Sequence, residues 1–511
     1  MWYFFKHSLL KIIPAKSHLL KNGQGLIHYS SHKLEKGGIP LKILMFLGLE
    51  HVTHKRTLSP LGSKNWNLNS YIWAPKVTLK WIGFGTLSVL FFLKIAQAGP
   101  FQEQLEQLVD SHKRILATKA TVESLGEGLK ASEKTLWPEV SLTALQGHEH
   151  RNNADGTANT GLAISEFDLT LTQPMDFWDA KGSAIEIAHL QFEQGRLNLQ
   201  QTIQSVILEA VTATIGLRTA VVVENFARTS VANIKNQAQL EDAKVAKGAG
   251  LSTDVLQAKI QLAGAEARLT LSKGALNRAI NRYHSVFGYA PGNLSDIPEI
   301  DIPLYRLPQT KEDCVTLALM NNFQIQTLRS GEEVAKASMR QTRATEFRPD
   351  LNFVVDSKFK SNVSGIADDT NEWVAKLEMK YNFNVGGAAI NNYNASQKNY
   401  IAASNQLQDA TNIIEEQAKN TFEQFQVTQE NAQFLQNQAN IAGEFLALAR
   451  QERQLGRRSL IDVLSGETAE INALSDAEAA KTQVAVNAYT LLFILGELTI
   501  DSVKVKPTIV E

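Results

Sequence analysis

The strongest constraint on this chain is that it repeats itself. KGAGLSTDVL (Lys247 to Leu256) returns 208 residues later as LGRRSLIDVL (Leu455 to Leu464), with Gly248 on Gly456 and Asp254 on Asp462. The same interval places TQPMDFWDA (Thr172 to Ala180) on KYNFNVGGA (Lys380 to Ala388) and Phe287-Gly288 on Leu495-Gly496. Upstream, WPEVSLTAL at Trp137 pairs with RPDLNFVVD at Arg348 at an interval of 211, so the loop that follows is three residues longer in the first half. The fold must therefore be built from two copies of one unit, expected at 99–300 and 301–498 with a tail at 499–511.

Each unit reads alike. A helical segment, about 101–135 or 311–346, runs into Trp-Pro or Arg-Pro, where proline ends the helix and favours an extended start. Two stretches of period two follow. In EWVAKLEMKYNFN, Trp373, Ala375, Leu377, Met379, Tyr381 and Phe383 share one face, with Lys376, Glu378, Lys380 and Asn382 on the other. In EFDLTLTQP, Phe167, Leu169 and Leu171 oppose Asp168, Thr170 and Thr172. About ten residues with one apolar and one wet face suit either a hairpin covering a soluble core or a transmembrane β-barrel. Hydrocarbon cannot satisfy a free strand edge, and four strands are too few to close a barrel, so the second reading requires several chains.

The segments between strands, HEHRNNADGTAN (148–159) and SNVSGIADDTN (361–371), read as polar loops. His148, Glu149 and His150 are expected to be solvated there rather than to hold a metal. After each hairpin comes a very long helix, about 178–246 or 387–455, then a glycine turn and a returning helix, about 251–288 or 459–496. A helix of that length reaches about 100 Å. It must pack laterally, through stripes such as Ile185, Ala188, Phe192 and Leu199.

Charge divides the chain. The first 98 residues carry 13 Lys+Arg against 2 Asp+Glu, which leaves 38 basic and 50 acidic groups and a formal charge of -12 beyond them. That acidity excludes nucleic acid as a partner, because phosphate binding needs concentrated Lys and Arg. At the junction, Lys76 and Lys80 precede a 13-residue apolar run from Trp81 to Leu93, followed by Ala-Gln-Ala at 96–98. This is the order of a secretory signal peptide, expected at 76–98 with cleavage after Ala98, and the alternative is a membrane anchor. Residues 1–75 then read as an extension absent from the mature product, or as a segment with its own targeting role. The one cysteine, Cys314, excludes disulfides within the chain.

From about Phe101 to Gly496, the tandem repeat, the strand motifs TQPMDF and YNFNVGG and the turn motifs GLSTDVLQAK and LGRRSLIDVL resemble the TolC family of outer-membrane channel proteins. The resemblance implies a mixed α and transmembrane β fold. Four strands and long antiparallel helices per protomer would assemble as a homotrimer with a 12-stranded β-barrel in outer-membrane lipid and an α-helical barrel reaching into the periplasm. It implies a passive exit duct, with a periplasmic adaptor (membrane fusion protein) and an inner-membrane ABC exporter or proton-driven pump as partners. Type I protein secretion and multidrug efflux stay open. The competing class is a periplasmic structural coiled coil without a pore.

No phosphate loop, metal-spaced Cys/His set or nucleophile motif occurs, so no enzyme activity, cofactor, metal or catalytic residue is expected. In the family, the inner end of the tunnel is closed by an acidic ring and by polar links between helical hairpins. Asp462 matches the ring, with Ser465 where a second aspartate stands. Thr253, Asp254, Arg453 and Arg458 match the latch positions. Gly248, Gly250, Leu251, Gly456 and Ser459 fall where the adaptor would dock. Ser459-x-x-Asp462 is equally a helix-capping pattern, and Asp254 equally a favourable first-turn carboxylate.

Overall fold

The structure is a computed structural model that describes residues 101–152 and 159–505. The expected extension at 1–75 and signal segment at 76–98 lie outside the described residues. Two short helices, α1 (Phe101–Ser111) and α2 (Lys113–Glu133), lead into strands β1 (Glu139–Arg151) and β2 (Thr160–Met175). Helix α3 (Ala180–Ala246) follows, then its partner α4 (Ser252–Phe287) and a short strand β3 (Ile300–Asp301). The second half repeats the plan with α5 (Lys311–Asn321), α6 (Phe323–Phe347), β4 (Asp350–Ser361), β5 (Asp369–Lys380), α7 (Ala388–Gln454) and α8 (Leu460–Ile494), and ends in β6 (Lys504–Val505).

The residue before each proline sets the passage from helix to strand. Trp137 and Arg348 are both extended, at ψ 158° and 146°, as the following proline ring demands. The four long strands form one antiparallel sheet in the order β1-β2-β4-β5, leaving β1 and β5 as open edges. Register aligns Phe167 with Phe359 and Leu171 with Val355 on one face, and Asp168 with Lys358 and Glu166 with Lys360 on the other. Among the described residues nothing covers the apolar face, and Trp373 is 73% and Leu377 65% exposed. The polar face is a ladder of ions, with Lys358–Asp168 at 3.4 Å, Lys360–Glu372 at 3.1 Å and Lys376–Asp356 at 3.4 Å. A face of Phe, Leu and Trp left bare beside a charged one suits hydrocarbon outside and water inside.

The strand β1 runs past the expected loop boundary to Arg151, so His148, Glu149 and His150 stand on a strand. Glu149 accepts a hydrogen bond from Gly365 N at 3.3 Å and Arg151 donates to the Ser364 carbonyl, which tie this end of β1 to the 3-10 turn Val363–Gly365.

Helices α3 and α7 each hold 67 residues, about 100 Å. Shorter helices stack end to end along them: α2 and α4 on α3, α5 with α6 and then α8 on α7. The two short helices of each half break at one residue, which caps the next helix. His112 accepts from Arg114 N, and Asn322 accepts from Gln324 N and Ile325 N while donating to Ile494 O at 2.9 Å. The most apolar stretch of α3, mean hydropathy 1.8, lies midway, where Val206, Ile207, Val211 and Leu217 pack on Leu105, Tyr283, Tyr489 and Leu492. It is the core of a girdle around the helices, and each of its large side chains contributes about 1.5–3 kcal/mol by burial. Residues 499–505 of the expected tail belong to that girdle, since β6 pairs with β3 and Tyr489 donates to Asp301 O at 2.7 Å.

Candidate functional site

At the end of the long helices farthest from the sheet, two turns share one geometry. Gly248 N donates to Val245 O and Ala249 N to Lys244 O, each at 2.9 Å. In the other hairpin Gly456 N donates to Arg453 O and Arg457 N to Glu452 O, again at 2.9 Å. These are paired Schellman caps, which require a left-handed residue, and the glycines supply it at φ 72° and 71°. Gly250 is small for a different reason: a β-carbon there would meet Val245 N and two side-chain atoms at 3.1 Å. The returning helices start differently. Ser459 caps α8 by accepting from Asp462 N at 3.3 Å, whereas Leu251 offers α4 no side-chain cap and Asp254 faces its first turn with a carboxylate.

Arg453, in the last turn of α7, reaches across to the first hairpin. Its Nη2 lies 3.1 Å from Glu241 Oε1 on α3 and 3.9 Å from Asp254 Oδ2 on α4, while Nη1 donates to Arg458 O at 3.3 Å. Glu241 is 2% exposed and also holds Lys244 at 2.8 Å. Burial opposes its ionisation most strongly, but the hydrogen bonds from Lys244 and Arg453 together outweigh it and keep the carboxyl below the usual carboxylate range. Arg458 stays within its own hairpin, 2.8 Å from Glu452 and 5.1 Å above the Phe445 ring. The geometry thus brings Asp254 to Arg453 and not to Arg458. Thr253 is exposed beside Asp254.

Two turns farther along α8, a second cross-link follows. Glu467, 5% exposed, accepts from Arg450 at 2.5 Å and from Asn233 on α3 at 2.6 Å. Burial and the neighbouring Glu467 push the Glu470 carboxyl up, against the pull of Arg450. Neither Glu241 nor Glu467 is singled out by the repeated motifs. The one local signal for Glu241 is a lysine three residues on, which any solvated helix also shows.

Asp462 and Ser465 stand exposed on one face of α8, three residues apart, while Leu460, Val463 and Leu464 on the other face are buried. Those apolar residues pack on Ile234, Ala238 and Ala258 of the first hairpin and on Leu446 and Ala449 of α7. The acidic side chain is thereby turned away from the packed seam. At the turns, Leu251 and Leu455 are 66% and 70% exposed beside Gly248, Gly250, Gly456 and Ser459. Among the described residues no group of three or more His, Cys, Asp or Glu gathers as a metal site. The tip can hold hairpins together by charge.

The profile of the family described as "Outer membrane efflux protein" matches the chain twice, over residues 105–288 and 314–497. Comparison with curated protein sequences finds no match. Among solved structures, the outer membrane protein VceC of Vibrio cholerae is similar at TM-score 0.66 and 15% identity, covering 77% of this chain and 95% of its own. The CmeC outer membrane channel of Campylobacter jejuni gives TM-score 0.66 at 15% identity, over 83% and 94%. The open state of the MtrE outer membrane channel of Neisseria gonorrhoeae gives 0.67 at 16%, over 79% and 90%. At such identities these likenesses establish the fold.

Proposed function

The chain belongs to the outer membrane efflux protein family, and from that premise we propose that three copies close into one duct through which a partner pump sends its substrate out of the cell. The protein is an outer-membrane channel and not an enzyme. The observation that carries the proposal is the sheet: one bare apolar face, one charged face and two unpaired edges, set on helices of 67 residues. Open edges inside hydrocarbon are untenable, and pairing β5 of each copy with β1 of the next removes all of them at twelve strands. A pore-less coiled coil would have no use for such a sheet.

The energy for transport would come from an inner-membrane ABC exporter or proton-driven pump, joined through a periplasmic adaptor at the turns around Gly248, Gly250, Leu251, Gly456 and Ser459. The exposed Leu251 and Leu455 favour that contact. Asp462 and Ser465 would narrow the pore, favouring cations while it is closed. Arg453 with Glu241 and Asp254 would be the latch between hairpins, and Arg458 with Glu452 a brace inside one of them. The test is conductance of the purified protein in planar bilayers, with its mass in detergent. Trimers with a small, cation-selective conductance are expected. A protein that never conducts, even after replacement of Asp462 and Arg453, returns the coiled-coil reading.

A further inference from the structure

We propose that His148 and His150, at the end of β1 farthest from the helices, bind a transition-metal ion of the zinc, nickel or copper(II) class. Alternation along β1 puts both rings on the face of Val140 and Leu142, past the apolar band, and both are exposed. Across the ladder His150 pairs with Gly161 and His148 with Ala163. A β-carbon placed on Gly161 would lie 3.5 Å from His150 Nδ1 and 3.6 Å from His148 Nε2. One nitrogen of each ring therefore lies close to Gly161 on the same face of the ladder, and the glycine puts no side chain between them.

The backbone that presents the rings is held from the opposite face, where Glu149 accepts from Gly365 N and Arg151 donates to Ser364 O. Pre-organisation of this kind lowers the cost of binding. Rotation of exposed imidazoles about χ1 and χ2 closes the distance to the roughly 2.0–2.1 Å of a zinc–nitrogen bond. Imidazole suits zinc, copper and nickel, while magnesium and calcium prefer oxygen. Water fills the remaining positions, so the site is open to solvent and exchangeable.

The experiment is calorimetric titration of detergent-solubilised protein, carrying no polyhistidine tag, with zinc chloride and with magnesium chloride. His148→Gln, His150→Gln and Lys376→Gln are run beside the wild type. Saturable binding of one zinc ion per protomer is expected, with none of magnesium. Either histidine substitution should weaken it by about tenfold or more, and Lys376→Gln, on the wet face of β5, should leave it unchanged. Electron paramagnetic resonance of the copper(II)-loaded wild type should report two coordinating nitrogens, a reading independent of how well any variant folds. The proposal falls if the wild type shows no saturable zinc binding, if the copper spectrum reports fewer than two nitrogens, or if both histidine variants bind zinc like the wild type.

Discussion

Replacing Arg453 by glutamine is the most direct perturbation of the proposed latch. The guanidinium donates to Glu241, a carboxylate with almost no water access, at 3.1 Å. A charge-assisted hydrogen bond of this kind contributes about 1.5–3 kcal/mol. Lys244 remains on Glu241 at 2.8 Å, so the larger penalty of an unpaired buried charge is avoided. Asp254, at 3.9 Å and one-third exposed, adds less than about 1 kcal/mol. A loss near 2 kcal/mol raises the ratio of open to closed latches about 30-fold in each protomer. The assay is single-channel conductance in planar bilayers, paired with cell sensitivity to large antibiotics that a closed tip excludes. Both should rise in Arg453→Gln, Glu241→Gln should match it, and the double variant should add little because the two residues share one interaction. Arg458→Gln breaks the bond to Glu452 and the contact with the Phe445 ring, both inside its own hairpin, and should change conductance far less. Unchanged conductance in Arg453→Gln, with a rise in Arg458→Gln, refutes this reasoning.

The other predictions test separate parts of the fold. Since Glu241 is held below 4.5, the Arg453 contact is fully present above that value and lost only as pH falls through the lower folded-state pKa, so conductance should stay low at pH 5 and rise under stronger acid. Gly496→Ala should abolish folding, because a β-carbon there would lie 2.3 Å from Asn321 O at φ 72°; its counterpart Gly288→Ala, in open space, should cost only the left-handed penalty of about 1–2 kcal/mol, read from thermal melts. Val355→Arg, midway along β4 on the bare face, should weaken barrel assembly by about 2–4 kcal/mol, visible as lost heat-modifiable mobility on gels, while Lys376→Gln on the wet face should assemble. Burial pushes the Cys314 thiol up to about 11, so maleimide at pH 8 should label the unfolded protein only.

The repeat makes the architecture legible in the sequence. A 67-residue helix with a glycine turn and a shorter return leaves one packing solution, and proline at 138 and 349 marks where strands begin. What escaped depends on contacts between segments distant in sequence. Glu241 sits in an Ala- and Gln-rich stretch with no motif, and it matters because the last turn of α7 ends against it, 212 residues away. The β3–β6 pair joins two-residue strands that carry no periodicity. The extension of β1 through His150 follows from Glu149 and Arg151 finding the 363–365 turn, which local polarity reads as loop. Whether Asp254 meets Arg453 or Arg458 is a matter of side-chain reach, and the glycine turn carries Arg458 round to Glu452 instead.

The two hairpins are copies in backbone, yet one ion pair is inverted between them. Position 242 in the first corresponds to 450 in the second, and 259 to 467, by the 208-residue interval. In the first copy the long helix carries the acid, and Asp242 lies 3.4 Å from Lys259. In the second the long helix carries the base, and Arg450 lies 2.5 Å from Glu467. The first pair is more than half exposed and adds little to stability. The second has its carboxylate buried and receives Asn233 from the first hairpin as well. An inversion of this kind keeps each hairpin internally satisfied while giving the two unlike edges. The acidic Glu241 and Asp254 of the first then meet the basic Arg453 of the second. By the same interval Glu241 corresponds to Ala449 and Arg453 to Val245, so identical copies would have left Glu241 facing a valine or Arg453 facing an alanine, with no ion pair between the hairpins at that place.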